Sequence, residues 1–360
     1  MGKIRVVLVD DSSLSRGLLR TFLEGDEDIE IVGEASNGQQ AVNMARELRP
    51  SLMTMDLEMP VMNGMQAIEK IMATKAVPIL VVSSVADAHS AYEAVARGAL
   101  EVIAKPEYDA RAAAEFVAKV KMLAGVAVIT HIRSQPQGVT PSSAPQTLDQ
   151  PAPPMPQRDI PSAYSRIFAI ASSTGGPQAL ALILSQLPAD FPCPVLVSQH
   201  ISNGFAGGMA DWLGSLCKMH VRLAREGEIV LPGVIYISPS ETNLAVTPAR
   251  RIILLEQSAT GVYHPSCDAL LNAVAEVYGR QGIGIILTGM GRDGAQGINS
   301  IRKMGGATLA QDEGSSVIFG MNKVAIDSGD VQKILPAEAM AREMIRMAAM
   351  PFTFDAASQP

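Results

Sequence analysis

Short apolar runs alternate with amphipathic stretches over the first third of the chain. IRVVLVD, EIVGEA, SLMTMD, PILVVSS and EVIAK predict strands. Between them LSRGLLRTFLEG, GQQAVNMARELR, MQAIEKIMA and HSAYEAVARG repeat apolar residues at helical spacing, and ARAAAEFVAKVKML adds a last helix. Pro50 and Gly98 punctuate two of the helix ends. The strands are continuous apolar runs with no alternation, the pattern of a parallel sheet covered on both faces. Residues 1–123 are therefore expected to fold as five strand–helix units.

Regular periodicity fades after that point. Pro136, Pro141, Pro145, Pro151, Pro153, Pro154, Pro156 and Pro161 crowd among Gln, Ser and Thr, so 124–163 reads as a semi-extended linker. It carries too little apolar surface to offset the entropy of ordering. From Tyr164 the alternation resumes, with RIFAIA, PVLVSQ, GIGIILT and ATLAQ as strands. PQALALILSQL, GFAGGMADWLGSL, CDALLNAVAEVYG and AQGINSIRKMG are the intervening helices, and a final helix begins near Pro336. VIYIS, NLAVTP and RIILLEQ read as strands or a hairpin. The expectation is a second α/β domain over 164–350, doubly wound on a mostly parallel sheet, with 351–360 as a tail.

Composition narrows the function classes. A chain of 360 residues suits about two domains. With 48% hydrophobic but only 4% aromatic residues, the cores must be aliphatic. A net charge of −7 argues against a nucleic-acid partner, which would need a basic face. Cys193, Cys217 and Cys267 form no CxxC pair, which suits a reducing compartment, and Cys193 between two prolines reads as a structural thiol. No run approaches a membrane span and no leader pattern opens the sequence, so a cytoplasmic location without membrane insertion is expected.

Chemistry enters at the strand ends. Asp10 and Asp11 close the first strand, Asp56 the third, Ser83 the fourth and Lys105 the fifth. In a parallel sheet these ends share the edge where ligands of open α/β sheets bind. Clustered carboxylates repel unless a cation joins them, and Mg²⁺ with its preference for oxygen ligands answers that need. A carboxylate is also a nucleophile toward phosphorus, giving an aspartyl phosphate whose oxygens Lys105 and Ser83 would hold. One such acid could be a turn or helix cap; a row of polar groups at successive strand ends is hard to assign that way.

In the second half, SSTGGP follows the strand RIFAIA, with Pro177 suited to a first helical turn. Ser173 and Thr174 then lie in a tight strand-to-helix connection, where Gly175 and Gly176 let a substrate approach the backbone and unpaired N–H groups face developing negative charge. PVLVSQ delivers His200, and GIGIILT runs into GMGRDG and delivers Asp293. That is a Ser–His–Asp constellation on one sheet edge. Singly, each has an ordinary role: Ser172 or Ser173 and Asp293 as helix caps, His200 as a polar strand end. His89, His131, His220 and His264 are expected on helices, in the linker or in loops, without metal-binding spacing. An alternative is a dinucleotide site, since Gly289, Gly291 and Gly294 satisfy GxGxxG and Asp312 follows the next strand. A non-catalytic output domain that binds a partner is a third reading.

Two family resemblances meet on these residues. Residues 3 to about 122 resemble the flavodoxin-like receiver domain of bacterial response regulators in DD, in MDLEMPVMNG around Asp56, in Ser83–Ser84 and in Lys105–Pro106. The resemblance implies Asp56 as phospho-acceptor, Mg²⁺ held by Asp10, Asp11, Asp56 and the backbone carbonyl of Glu58, Ser83 as switch hydroxyl and Lys105 as phosphate contact. It also implies a sensor histidine kinase as phosphodonor. Val102 stands where that family usually carries Phe or Tyr.

Residues from about 164 to 350 resemble the catalytic domain of the chemotaxis protein-glutamate methylesterase (CheB) family. The matching stretches are IASSTGGP, VSQHI, HPSCDALLNAVA, LTGMGRDGAQG and AQDEGSSVIFGMNKVAI. This implies Ser173 as nucleophile, His200 as general base and acid, and Asp293 as its orienter, with Thr174 and Met290 lending backbone N–H groups to the oxyanion. Ser173 is chosen over Ser172 because it directly precedes TGG. Ala171-Ser172 and Ile201-Ser202 depart from the family's usual Gly-Ala and Met-Pro. The implied substrates are glutamyl methyl esters, and also glutamines, of methyl-accepting chemotaxis receptors, hydrolysed without a cofactor. The receiver is expected to lie over the active-site mouth until it is phosphorylated.

Overall fold

The computed structural model describes residues 2–126, 164, 166–257 and 263–350. The expected linker from residue 127 onward, with His131, and the expected tail lie outside them. The first sheet contains β1 (Ile4–Val9), β2 (Ile29–Ala35), β3 (Leu52–Met55), β4 (Ile79–Ser83) and β5 (Glu101–Ala104). Between and after them run α1 (Ser13–Glu24), α2 (Gly38–Leu48), α3 (Gly64–Thr74), α4 (Ala88–Ala96) and α5 (Ala110–Leu123). All ladders are parallel, in the order β2-β1-β3-β4-β5. The central strands are sealed from water, with Val6, Val7, Leu8, Met53 and Val81 fully buried, as continuous apolar runs require. Side-chain caps start α2, α3 and α5: Asn37 accepts from Gln40 N–H, Asn63 from Gln66 N–H and Asp109 from Arg111 and Ala112 N–H.

The second half contains β6 (Ile167–Ser172), α6 (Gly176–Leu184), β7 (Val195–Gln199), α7 (Ala206–Leu216), β8 (His220–Leu223) and β9 (Val234–Ile237). The hairpin β10 (Thr242–Val246) and β11 (Ile252–Glu256) follows, then α8 (Cys267–Tyr278), β12 (Gly282–Ile286), α9 (Ala295–Lys303) and β13 (Ala307–Gln311). Last come α10 (Met321–Asp327), β14 (Lys333–Leu335) and α11 (Ala337–Ala349). Seven strands form one sheet, β14-β13-β12-β6-β7-β9-β8, and every pairing in it is parallel. From β6 the chain steps to β7 on one side and returns much later to β12 on the other. Strand order therefore reverses at β6, and the crevice above the carboxyl ends of β6, β7 and β12 is where an open α/β sheet takes its ligand.

Three short elements depart from the sequence reading. His220 opens β8 and does not lie in a loop, and α10 and β14 occur where no element is expected. Each is seven residues or shorter, too brief for a period to register. Tertiary contacts hold them: Met321, Asn322 and Ala325 of α10 are buried against the core.

The two sheets share an interface. Tyr92 of α4 stacks on Trp212 of α7, ring centroids 5.7 Å apart. Gly208 of α7 lies so close to α4 that a Cβ there would stand 2.6 Å from the carbonyl carbon of Ala88. Gln178 Nε2 of α6 donates to the carbonyls of Ala99 and Leu100 at 2.8 and 3.1 Å. Among the described residues no helix is long and apolar enough to cross a membrane.

Candidate active site

The turn after β6 separates two neighbouring serines by environment. Ser172 ends the strand, is fully buried, and donates its hydroxyl to Gln199 Oε1 at 2.6 Å. The same Gln199 side chain donates from Nε2 to the carbonyls of Ser173 and His200, 2.8 Å each. One glutamine thus ties the ends of β6 and β7 together. Ser173 emerges beyond this lock, 7% exposed, and among the described residues its hydroxyl has no hydrogen-bond partner. The cap position of α6 is Gly175 in the left-handed region (φ 77°), so neither serine caps the helix. Gly176 is equally constrained, because a Cβ there would meet Gln199 Oε1 at 1.9 Å. Among the described residues the N–H groups of Thr174 and Met290 also have no hydrogen-bond partner, which leaves them for a developing oxyanion.

His200 follows β7 directly, with its backbone N–H on the Ser172 carbonyl at 3.0 Å. Its Nε2 donates to Asp293 Oδ2 at 2.8 Å, and Tyr263 stacks on the ring with centroids 5.1 Å apart. A carboxylate only accepts, so Nε2 carries the proton and Nδ1 is the nitrogen left for a serine hydroxyl. Asp293 does not cap α9, whose cap is Gly294. It sits instead at the N-terminus of α8, accepting from Cys267 N–H at 2.6 Å, Asp268 N–H at 3.0 Å and Ser266 Oγ at 3.2 Å. Burial pushes the Asp293 carboxyl up, but His200 and those N–H groups outweigh it and hold it below the usual carboxylate range. Burial and the Asp293 charge push the neighbouring Asp268 up to about 6.

His200 and Asp293 are thus in contact, and Ser173 stands one residue beyond Ser172, which pairs with Gln199 across the β6–β7 ladder. Among the described residues no hydrogen bond joins Ser173 to His200. The loop after β12 closes the third side: Ser173 N–H donates to the Thr288 carbonyl at 3.1 Å, and a Cβ on Gly289 would lie 2.6 Å from Ser173 Cβ. Met290 is 53% exposed at this rim. The sequence reading gave no role to Gln199, Tyr263 or Thr288, although Gln199 stands inside VSQHI. The GxGxxG glycines are spent otherwise, Gly289 against Ser173 and Gly291 against the Tyr263 hydroxyl. Asp312 accepts from Ser315 N–H and Oγ at 3.0 and 2.6 Å, closing its own turn.

At the first sheet's carboxyl edge, Asp10, Asp11 and Asp56 bring carboxylate oxygens within 4.8 Å of one another. Lys105 Nζ lies 2.9 Å from Asp10 Oδ2 and 3.2 Å from Asp56 Oδ2. One ammonium among three carboxylates leaves net negative charge. Burial and the Asp10 charge push the Asp56 carboxyl up to about 6 against the pull of Lys105. Ser83 Oγ is buried at the end of β4, and among the described residues it has no hydrogen-bond partner. A cleft of about 730 Å³ opens beside the trio, lined by Asp11, Glu58, Met59 and Asn63 among others. This all-oxygen donor set with surplus negative charge fits Mg²⁺.

Comparison with known proteins gives these two edges a family. The family model for CheB methylesterase matches residues 168–344, and that for the response regulator receiver domain matches 6–116. The protein-glutamate methylesterase/protein-glutamine glutaminase 3 of Paramagnetospirillum magneticum is 52% identical over 349 residues, 96% of either chain. The protein-glutamate methylesterase/protein-glutamine glutaminase of Pyrococcus abyssi is 35% identical, over 97% of this chain and 94% of its own. Among solved structures, the catalytic domain of Thermotoga maritima CheB methylesterase is similar at 36% identity, covering 51% of this chain and 98% of that one, with a TM-score of 0.49. A receiver fold joined to a methylesterase domain, shared along nearly the whole length, places this chain in the CheB family of protein-glutamate methylesterase/protein-glutamine glutaminases.

Proposed function

We propose that the chain demethylates glutamyl methyl esters of chemoreceptors, and deamidates receptor glutamines, with Ser173 as nucleophile, His200 as general base and acid and Asp293 as the anion that orients and charges against it. The observation that carries this reading is the part-buried His200–Asp293 bond at the strand ends that flank the Ser173 turn. Ser173 Oγ attacks the ester carbonyl while His200 takes its proton, and Asp293, held ionised, stabilises the imidazolium. The oxyanion rests on the N–H groups of Thr174 and Met290, with Gly175 and Gly176 keeping side chains off the approach. His200 gives the proton to the leaving methoxy oxygen as its bond to carbon breaks, releasing methanol, or to the amide nitrogen, releasing ammonia. Water then hydrolyses the acyl-enzyme and leaves a glutamate.

Asp56 is the proposed phospho-acceptor, served by a sensor histidine kinase. Asp10, Asp11, Asp56 and the Glu58 carbonyl would hold Mg²⁺, which when bound offsets the negative charge of the incoming phosphoryl group. Lys105 and the Ser83 hydroxyl would take phosphoryl oxygens; the lack of a hydrogen-bond partner for Ser83 Oγ among the described residues supports this. The proposed division is a receiver over 1–123, a linker over 124–163 and a catalytic domain over 164–350, in a cytoplasmic protein. The receiver restrains the site through α4 on α7 and through Lys119 on Thr174, and phosphorylation shifts the balance toward an open mouth. Methanol release from methylated receptor by the full chain tests this. The expected result is slow basal release that rises with Mg²⁺ and a small phosphodonor; no release under either condition would sink it.

A further inference from the structure

Cys267 is the first residue of α8 and lies directly behind the His200–Asp293 pair. Its Sγ stands 3.5 Å from His200 Nε2. One donor atom each from His200, Cys267 and Asp293 falls within 4.8 Å of the others. Ester hydrolysis has no use for a sulfur there, since the proposed nucleophile, base and orienting anion do not include it. The thiol otherwise donates only weakly, toward the Ser198 and Ser172 carbonyls at 3.4 and 3.8 Å.

We infer that His200 Nε2, Cys267 Sγ and an Asp293 carboxylate oxygen form an inhibitory site for a soft divalent cation, Zn²⁺ above all. Imidazole nitrogen, thiolate and carboxylate are the donor types zinc takes, and three protein ligands leave a fourth position for water. Bond lengths of about 2.0–2.1 Å to nitrogen and about 2.3 Å to sulfur put those two atoms about 3.5 Å apart in a tetrahedral site, the separation found here. The Nε2–Oδ2 distance of 2.8 Å is shorter than the roughly 3.3 Å edge of such a site. Displacing the proton that now bridges the two atoms lets that edge open. The protons balance: the Nε2 proton passes through solvent to Nδ1, and the Cys267 thiol proton is released as the Zn–S bond forms. Mg²⁺, a hard ion, prefers all-oxygen ligands to a nitrogen–sulfur–oxygen set, so the receiver's metal and this one are chemically distinct.

With metal on Nε2 and the proton on Nδ1, the ring has no lone pair left for the serine proton, so turnover stops. That consequence rests on the proposed role of His200; the binding itself does not. The test uses the full chain in excess Mg²⁺, which occupies the receiver. Added Co²⁺ should give a thiolate-to-metal charge-transfer band at one equivalent, lost on adding Zn²⁺. Ser173→Ala, inert as an esterase, should keep the band, which separates binding from the hydrolase reading. Zn²⁺ should inhibit methanol release reversibly with a zinc-selective chelator. In Cys267→Ala and Cys267→Ser the band should vanish and the inhibition midpoint, measured against each variant's own zinc-free rate, should rise at least about tenfold. Absence of the band in the full chain, or an unchanged midpoint in both variants, would overturn the site.

Discussion

Lys119 of α5 reaches across to Thr174, Nζ to Oγ1 at 3.4 Å, while holding Glu101 of β5 at 2.5 Å. A side chain of the first domain therefore touches the residue beside Ser173. Glu101 lies in β5, the strand that leads to Lys105, so the carboxylate edge of the first sheet and the Ser173 turn are joined by one short run of contacts.

The two serines should respond differently to removal of their hydroxyls. Ser173→Ala is expected to abolish esterase turnover. Ser172→Ala strips the partner from buried Gln199 Oε1, so it should cost about 1–3 kcal/mol of stability and leave most of the turnover. Parallel measurements of methanol release and thermal unfolding check both; inactive Ser172→Ala with active Ser173→Ala would overturn the assignment.

Asp293→Asn keeps the shape but removes the charge opposite His200 and offers an amide to the α8 N–H groups. A fall in kcat of about 10³–10⁴-fold with a folded protein is expected. Because the Asp293 carboxyl is held below the ordinary carboxylate range, it stays ionised as pH falls toward 5. Any acid limb of the wild-type profile above that pH must then arise from another group. Isotope-edited NMR of the Asp293 carboxyl reads this directly, and titration of that carboxyl above pH 5 would contradict it.

Asp56→Ala should prevent stimulation by a small phosphodonor with Mg²⁺ while basal release persists. Removing Mg²⁺ from the wild type should do the same, since the trio then keeps its surplus charge. Stimulation that survives either change would refute the switch at this edge.

The domain contact can be probed by one substitution. Gly208→Ala adds a methyl that meets the Ala88 backbone at 2.6 Å, while alanine suits an α7 interior better than glycine by about 1 kcal/mol. The second domain should stay folded and the receiver should be pushed off. Basal methanol release is expected to rise toward the phosphorylated level; an unchanged basal rate would argue against occlusion.

Glu343 of α11 predicts a pH dependence of stability. Hydrogen bonds from Arg346, with Lys333 adding to them, outweigh burial and lower its carboxyl from 4.5 to about 2. A depressed folded pKa stabilises above the unfolded value and is lost as pH falls through the folded one. Melting temperature should therefore drop between about pH 4.5 and 2 more steeply in the wild type than in Glu343→Gln. Parallel curves for the two proteins would remove the effect.

Much of this layout was legible in the residues. Strands such as Ile79–Ser83 announced themselves because a buried parallel strand needs an unbroken apolar run, and each delivered its polar residue to the carboxyl edge. Ser173, His200 and Asp293 were visible for the same reason. What escaped had no periodic signal. Gln199 reads as one more strand residue, yet it locks two strand ends through its amide. Tyr263 lies in a loop, and only the folded chain puts its ring on His200. Asp293 was weighed as a cap for the helix next to it in sequence. It serves α8, which begins 26 residues earlier in the chain, a pairing that depends on sheet order and not on spacing. The stretch HVRL, charged and half-buried at the sheet's rim, lacked the apolar run that marked the inner strands.

The central claim is that Ser173 is the reactive hydroxyl, activated by His200 and Asp293. Treating the full chain with a serine-reactive phosphonate and locating the adduct by peptide mass spectrometry tests it most directly. A single adduct on Ser173, strongly slowed in Asp293→Asn, is the predicted result. No adduct, or one on Ser172 or Cys267, would contradict it.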